Sequence, residues 1–186
     1  ERANLATDVR KTVQDFRHKL AQEKLQKLEE VLTERYLSLS NKRDFYKKIQ
    51  IDVDTLDISL ITRHGSRRPH TDLAAGERQI FATSLLWALA EISGRPLPFI
   101  IDTPLGRLDQ SHRDKLIKRF FPKASHQVFI FSTDTEIRDE QYQGLSKDVS
   151  KAYHLIYDES EGKTVPSDGY FWEKDAEQIH LGEITS

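Results

Sequence analysis

Two short stretches, Leu97-Pro98-Phe99-Ile100-Ile101-Asp102 and Gln127-Val128-Phe129-Ile130-Phe131-Ser132, decide how this chain reads. Each contains a fully apolar run of the kind buried in a parallel sheet, where both faces are covered and alternation with polar residues is lost. Residues 110–121 between them read as an amphipathic helix. Strand, helix, strand at this spacing is a βαβ crossover, so the expected fold is α/β with a mostly parallel sheet. Ligands of such sheets gather at the carboxyl ends of the strands, which is where Asp102 and the turn Ser132-Thr133-Asp134 fall. A carboxylate in that place either holds Mg2+ beside phosphates or merely caps the next turn.

Upstream, residues 76–93 read as a helix that is apolar on most faces, with Ile80, Phe81, Leu85, Leu86, Trp87, Leu89 and Ile92, and Gly94 stops it. Such a helix belongs inside a domain. It is entered through Leu73-Ala74-Ala75-Gly76-Glu77-Arg78-Gln79, a small-residue loop that exposes backbone N–H groups at the positive end of a helix dipole. Either an anion sits there, with the Glu77 side chain turned away, or the small residues serve close packing. Ahead of this loop, Arg63-His64-Gly65-Ser66-Arg67-Arg68-Pro69-His70 is a basic turn, a phosphate contact or simply an exposed loop. Ile49, Ile51 and Val53, then Leu56, Ile58 and Leu60, alternate with polar residues and predict a hairpin around Asp54-Thr55.

The first forty residues have a different period. Leu5, Val9, Val13, Phe16 and Leu20 form a helical stripe over 4–38, which slips to a second register at Leu25, Leu28 and Leu32. A long polar helix with a slipping seam fits the base of a coiled-coil arm, and equally an ordinary helix on a globular core. At the other end, Tyr153 to Tyr157 and Gly169 to Trp172 predict a small aromatic hairpin. The organisation expected is therefore an arm helix over 1–46, an α/β lobe over 47–138 and an extension packing on it over 139–186.

Composition narrows the function. The 186 residues are 37% hydrophobic and 31% charged, with no apolar run of membrane-spanning length and mean hydropathy -0.62. With Cys 0, thiolate metal sites and thiol nucleophiles are excluded, and a reducing, cytoplasmic setting is expected. The chain opens Glu1-Arg2-Ala3 and has Met 0, so a piece of a longer protein with no leader is expected. The net charge of -2 divides into +4 over residues 1–50, +1 over 51–138 and -7 over 139–186. That is not the dominant basic face of a generic nucleic-acid binder.

Taken in order, the elements resemble a known family. Leu73-Ala74-Ala75-Gly76-Glu77-Arg78-Gln79 resembles the signature loop of ABC-type ATPases of the SMC and recombination-repair kind, and Phe99-Ile100-Ile101-Asp102 their Walker B strand. Leu108-Asp109 is similar to the D-loop, and Phe131-Ser132-Thr133-Asp134 stands where the switch-histidine strand does. Gly76-Glu77-Arg78-Gln79-Ile80-Phe81, residues 100–109 and Ser132-Thr133-Asp134-Thr135-Glu136 more closely resemble the DndD ATPases of bacterial DNA sulfur modification (phosphorothioation). The motif-level match spans roughly residues 70–138.

The resemblance implies an ATPase whose nucleotide is sandwiched between two heads. Asp102 would orient Mg2+ and its water, Ala74, Ala75, Gly76 and Glu77 would reach the ATP of the partner head, and Asp109 would lie at the dimer seam. Thr103 stands where the wider family has its general-base glutamate, Thr133 where it has the switch histidine, and Ala74 where it has the signature serine. The residue that activates water is therefore unassigned among Asp134, Glu136 and His112. No Gly-x-x-x-x-Gly-Lys-Ser/Thr loop occurs, and the Gly162-Lys163 pair lacks the earlier glycine. The chain is thus expected to be the C-terminal half of a head, hydrolysing ATP slowly and only with an N-terminal Walker A half. Implied partners are that half, a second head in a homodimer, DNA, and the sulfur-modification subunits DndC and DndE. Two other classes fit: an SMC-like repair or recombination ATPase, and a hydrolysis-impaired coiled-coil interaction module.

Overall fold

A 38-residue helix α1 (Arg2–Leu39) begins the structure, about 57 Å long at the rise of an α-helix. The computed structural model describes residues 2–171, with side chains from residue 8 onward. The two registers of the sequence separate physically. Val9, Val13, Phe16 and Leu20 are all exposed, Phe16 at 65%, whereas Leu28, Leu32, Tyr36 and Leu39 are buried. The slip after Leu20 therefore marks where the helix changes from a projecting rod into part of a core.

That core is built from α1, an antiparallel sheet and a second helix. Strands β1 (Tyr46–Ile51), β2 (Ile58–Thr62) and β3 (Arg67–Pro69) lie in that order, with Ile49 opposite Leu60 and Leu60 opposite Arg68. The alternation in β1 turns Tyr46, Ile49 and Ile51 inward, and Tyr36 meets Tyr46 edge-on at 5.9 Å. Strand β1 is an edge strand, yet two of its outer donors are bonded by α1. The Ile49 N–H donates to Thr33 Oγ1 at 2.9 Å and the Ile51 N–H to Glu29 Oε1 at 2.6 Å. Side chains of α1 thus close the sheet edge.

Two expectations change here. The hairpin turn is wider than Asp54-Thr55: Val53 and Leu56 fall in the turn, because Asp52 Oδ1 accepts the Asp54 and Thr55 N–H groups and ends the strand. The basic turn is not all loop, since Arg67–Pro69 joins the sheet as β3.

Helix α2 (Ala75–Ser93) packs beside α1, where Arg35 makes a bidentate pair with Glu91 at 2.9 Å and lies 4.6 Å over the Trp87 ring. Gly94 stops the helix in the left-handed conformation, φ 65, a geometry that favours glycine. Strand β4 (Phe99–Asp102) then pairs in parallel with β5 (Val128–Phe131), Ile100 opposite Phe129 and Asp102 opposite Phe131. The crossover between them is helix α3 (Gln110–Lys115), continued by a wide turn over Leu116–Phe120 in which the Phe121 N–H reaches Leu116 O. That turn buries Phe120 against Trp87 at 5.3 Å and Phe99 at 5.8 Å.

The expected βαβ unit is present, but the strands are not buried on both faces. Ile100 is 69% exposed, with Phe129 and Phe131 exposed on the same face. Leu86 and Leu89 of α2 are exposed as well, because among the described residues that helix is packed on one side only.

The contacts divide the chain into two compact units, Glu1–Phe131 and Ser132–Ser186. The second holds helix α4 (Asp139–Leu145) and a hairpin of β6 (Tyr153–Asp158) and β7 (Lys163–Asp168). The hairpin differs from the sequence reading: its second strand precedes Gly169, because Asp158 caps the turn by accepting from Ser160 and Glu161. Trp172 lies outside the described residues.

The contrast in burial sets a stability test. Phe120→Ala should cost about 3–5 kcal/mol in urea unfolding, whereas Phe16→Ala on the exposed stripe should stay within about 0.5 kcal/mol. Comparable costs for the two would contradict this packing.

Candidate functional site

The loop that opens α2 is shaped by Glu77. Its Oε2 accepts the Ala74 N–H at 3.2 Å, half of a capping box, and its Oε1 pairs with Lys42 Nζ at 2.7 Å. The carboxylate is thereby turned back and neutralised instead of facing the helix axis. Ala74, extended at φ -62 and ψ 161, offers no side-chain cap. The N–H groups of Ala75 and Gly76 open the helix without intrahelical carbonyl partners. An anion would meet those two groups and the dipole, with Glu77 no longer an obstacle.

Gly76 is constrained from the other side. A Cβ at that position would sit 3.3 Å from the Arg107 carbonyl oxygen and 3.8 Å from Leu108 Cδ2. The absence of a side chain lets the α2 N-terminus lie directly on the 105–109 loop. Gln79 ties the same pair of segments by donating from Nε2 to the Pro104 carbonyl at 2.6 Å. Between them opens a groove of about 600 Å3 lined by Ala75, Arg78, Gln79, Thr103, Gly106 and Arg107. Two arginines on this groove suit an anionic ligand.

Asp102 closes β4 at the edge of the parallel pair and is exposed. Next to it, Thr103 has φ 47 while its N–H continues the ladder to Phe131 O at 2.9 Å. A β-branched residue in the left-handed region is strained, at about 1–3 kcal/mol, and such strain concentrates where a backbone is held for function. Among the described residues no group of three or more His, Asp or Glu side chains converges as a metal cage. A lone hard carboxylate still fits Mg2+, which takes one or two protein oxygens and completes its shell with phosphate and water.

Asp109 is the N-cap of α3. Its Oδ1 accepts the His112 N–H at 2.9 Å, and its Oδ2 lies 2.8 Å from His112 Nδ1. His112 is buried, and its Nε2 accepts the Asn41 N–H at 3.3 Å, which assigns the ring proton to Nδ1. Asn41 Nδ2 adds two further contacts to the Asp109 carboxylate at 3.3 Å. Burial pushes the Asp109 carboxyl up, but the His112 backbone N–H, the His112 ring and Asn41 together outweigh it and hold the carboxyl below its ordinary value.

The structure therefore gathers Ala74, Ala75, Gly76, Glu77, Thr103 and Asp109 around one pair of apposed loops, with Asp102 next to Thr103. Thr133 and Asp134 stand on the second unit, in a turn where the Glu136 N–H donates to Thr133 O at 3.2 Å. Tyr170 braces that turn, its hydroxyl 2.8 Å from Ser132 Oγ and 3.1 Å from the Ile137 carbonyl. Glu136 is buried there, and Asp134 is exposed. Asn41 and Lys42 were not singled out in the sequence, and Gln79 was named there only as part of the signature-like stretch. The only signal of Asn41 and Lys42 is position just past a helix end, and many residues share it.

The lowered Asp109 carboxyl has a pH consequence. Unfolded, the group titrates near 3.9, so its contribution is complete above that value and is lost as pH falls through the lower folded value. The unfolding midpoints of the parent and Asp109→Asn should differ near about pH 7 and converge towards about pH 2. A pH-independent difference would contradict the charge-based account.

No family model matches the chain, and no curated protein matches it either. Solved structures do. A chain from work on ATP-driven dimerization and DNA-stimulated activation of SMC ATPases superposes with a TM-score of 0.61 at 14% identity, covering 91% of this chain and 98% of its own. The Smc head domain with a coiled coil and joint from Pyrococcus yayanosii gives 0.60 at 13% identity, covering 86% of this chain and 29% of its own. The Pyrococcus furiosus Smc head with an extended coiled coil, bound to the C-terminal domain of ScpA, gives 0.56 at 15% identity over 87% of this chain and 38% of its own. The chain thus spans nearly all of the first and well under half of the other two. Its fold is that seen in SMC head domains, and the α/β lobe with parallel β4 and β5 is consistent with the C-terminal lobe expected from the sequence.

Proposed function

We propose that this chain is the C-terminal half of an SMC-like head that binds and hydrolyses ATP together with an N-terminal segment carrying a phosphate-binding loop. The observation that carries the reading is the open face of β4 and β5. A two-stranded parallel pair is not a self-sufficient sheet, and here Ile100, Phe129 and Phe131 are exposed beside the candidate Mg2+ ligand Asp102. A second lobe adding strands and a nucleotide-cradling loop would cover that face. The exposed stripe Val9, Val13, Phe16 and Leu20 fits a returning helix of a coiled-coil arm.

Within that head each residue has a distinct task. Asp102 would hold Mg2+, which when bound neutralises phosphate charge and orients water. Ala75 and Gly76 N–H groups, at the start of α2, would meet the terminal phosphate of ATP held by a second head. Ala74 has no hydroxyl to donate there, and Thr103 has no carboxylate to accept a proton from water. Each loss of a preorganised donor or base lowers the rate about 10²–10³-fold, so turnover is slow. Asp109, fixed by His112 and Asn41, would present its remaining carboxylate surface at the seam.

The pathway reading is DNA phosphorothioation, supported by the resemblance of residues 76–81, 100–109 and 132–136 to DndD. Its partners would be DndC, DndE and DNA. The exposed Arg43, Lys47, Lys48 and Arg63 at one end of the β1–β3 sheet offer positive charge for a phosphate backbone. A hydrolysis-impaired interaction module is favoured by the same Ala74 and Thr103 substitutions.

Co-expression with a Walker A-bearing N-terminal segment tests the activity. The native pair should show Mg2+-dependent ATP turnover, and Asp102→Ala should lose it by at least about 10²-fold. No turnover and no ATP binding in the native pair would leave the interaction-module reading. For the pathway, disruption of the full gene should remove phosphorothioate linkages from DNA; intact linkages would favour a repair role.

A further inference from the structure

The arm helix does not end freely. Its last carbonyls are taken by cations of the α3 region: Arg119 Nη1 donates to Ser38 O at 2.7 Å and Lys115 Nζ to Ser40 O at 2.7 Å. Positive charge at a helix C-terminus complements the dipole and fixes the helix end in place. Asn41 follows immediately and is saturated with partners. Its Oδ1 accepts from Ser111 Oγ at 2.7 Å and from Lys115 Nζ at 2.6 Å, while its Nδ2 faces the Asp109 carboxylate. Its own N–H donates to His112 Nε2. Lys42, one residue on, holds Glu77 of the signature helix.

This arrangement requires an amide. Two donors on one side and a carboxylate on the other fix which way the Asn41 side chain faces. An aspartate would set a second carboxylate against Asp109, and an alanine would leave that carboxylate held by His112 alone. The 38-residue helix is stiff, so a change in its direction is delivered at its end, where Asn41 and Lys42 grip the two loops of the candidate site.

We propose that Asn41 is a positioning residue for ATP hydrolysis, holding the Asp109 loop in register with the signature helix so that the direction of the arm sets the geometry of the seam. The inference rests on the ATPase reading above. Asn41 acts through Asp109 and His112.

The test uses the complex of this chain with its Walker A-bearing segment, with turnover normalised to nucleotide-binding sites so that a partly unfolded variant still reports. Asn41→Ala should lower kcat about tenfold and leave KM for ATP within about twofold, the signature of lost positioning. Asn41→Asp should be slower still near about pH 7 and recover part of its deficit towards about pH 5, as one of two facing carboxylates takes up a proton. The Asn41→Ala deficit should not change over that range. A kcat for Asn41→Ala within about twofold of the parent, or an Asn41→Asp deficit independent of pH, overturns the proposal while the ATPase reading stands. Absence of Mg2+-dependent turnover in the parent complex overturns both.

Discussion

Two parallel strands cannot complete a sheet on their own, and this constraint governs the molecule. β4 and β5 satisfy each other's backbone along one edge, and the crossover through α3 and Phe120 covers one face. The opposite face keeps Ile100, Phe129 and Phe131 in solvent. Parallel pairs persist when helices and further strands enclose them. The proposed second lobe would close this pair beside Asp102.

Several contacts within the chain fix the loops that would meet a nucleotide. Gly76 allows the start of α2 to touch the Arg107 carbonyl, Gln79 bonds the Pro104 carbonyl, and Asn41 and Lys42 join the arm to both loops. These contacts are short-range and directional, whereas the apolar packing of Leu32, Tyr36 and Leu39 supplies the bulk of the burial that holds α1 to the head. Helix α1 is thus coupled to the candidate site by hydrogen bonds and to the core by hydrophobic area, two couplings with different tolerance to motion.

Much of the fold was legible in the sequence because it rests on period. The slip between Leu20 and Leu25, the apolar runs at 99–101 and 128–131, and Gly94 after a helical pattern each have a local physical meaning. Local chemistry that overrides period was harder to read. Asp52 and Asp158 end strands by capping turns, which shifted both hairpins, and Arg67–Pro69 forms a strand through pairing with β2 despite its charge. At the candidate site, Asp102, Gly76 and Asp109 were proposed from motif order. Asn41 and Lys42 were not, because their partners are distant in sequence and only the fold brings them together.

The proposed head requires that the open β4–β5 face receive a second lobe. Backbone hydrogen exchange at residues 99–102 and 128–131, followed with and without the Walker A-bearing N-terminal segment, addresses it most directly. Exchange along both strands should slow strongly when the segment binds, while the exposed half of α1 before Leu20 is no faster. Unchanged exchange in β4 and β5 on formation of a stable complex would contradict it.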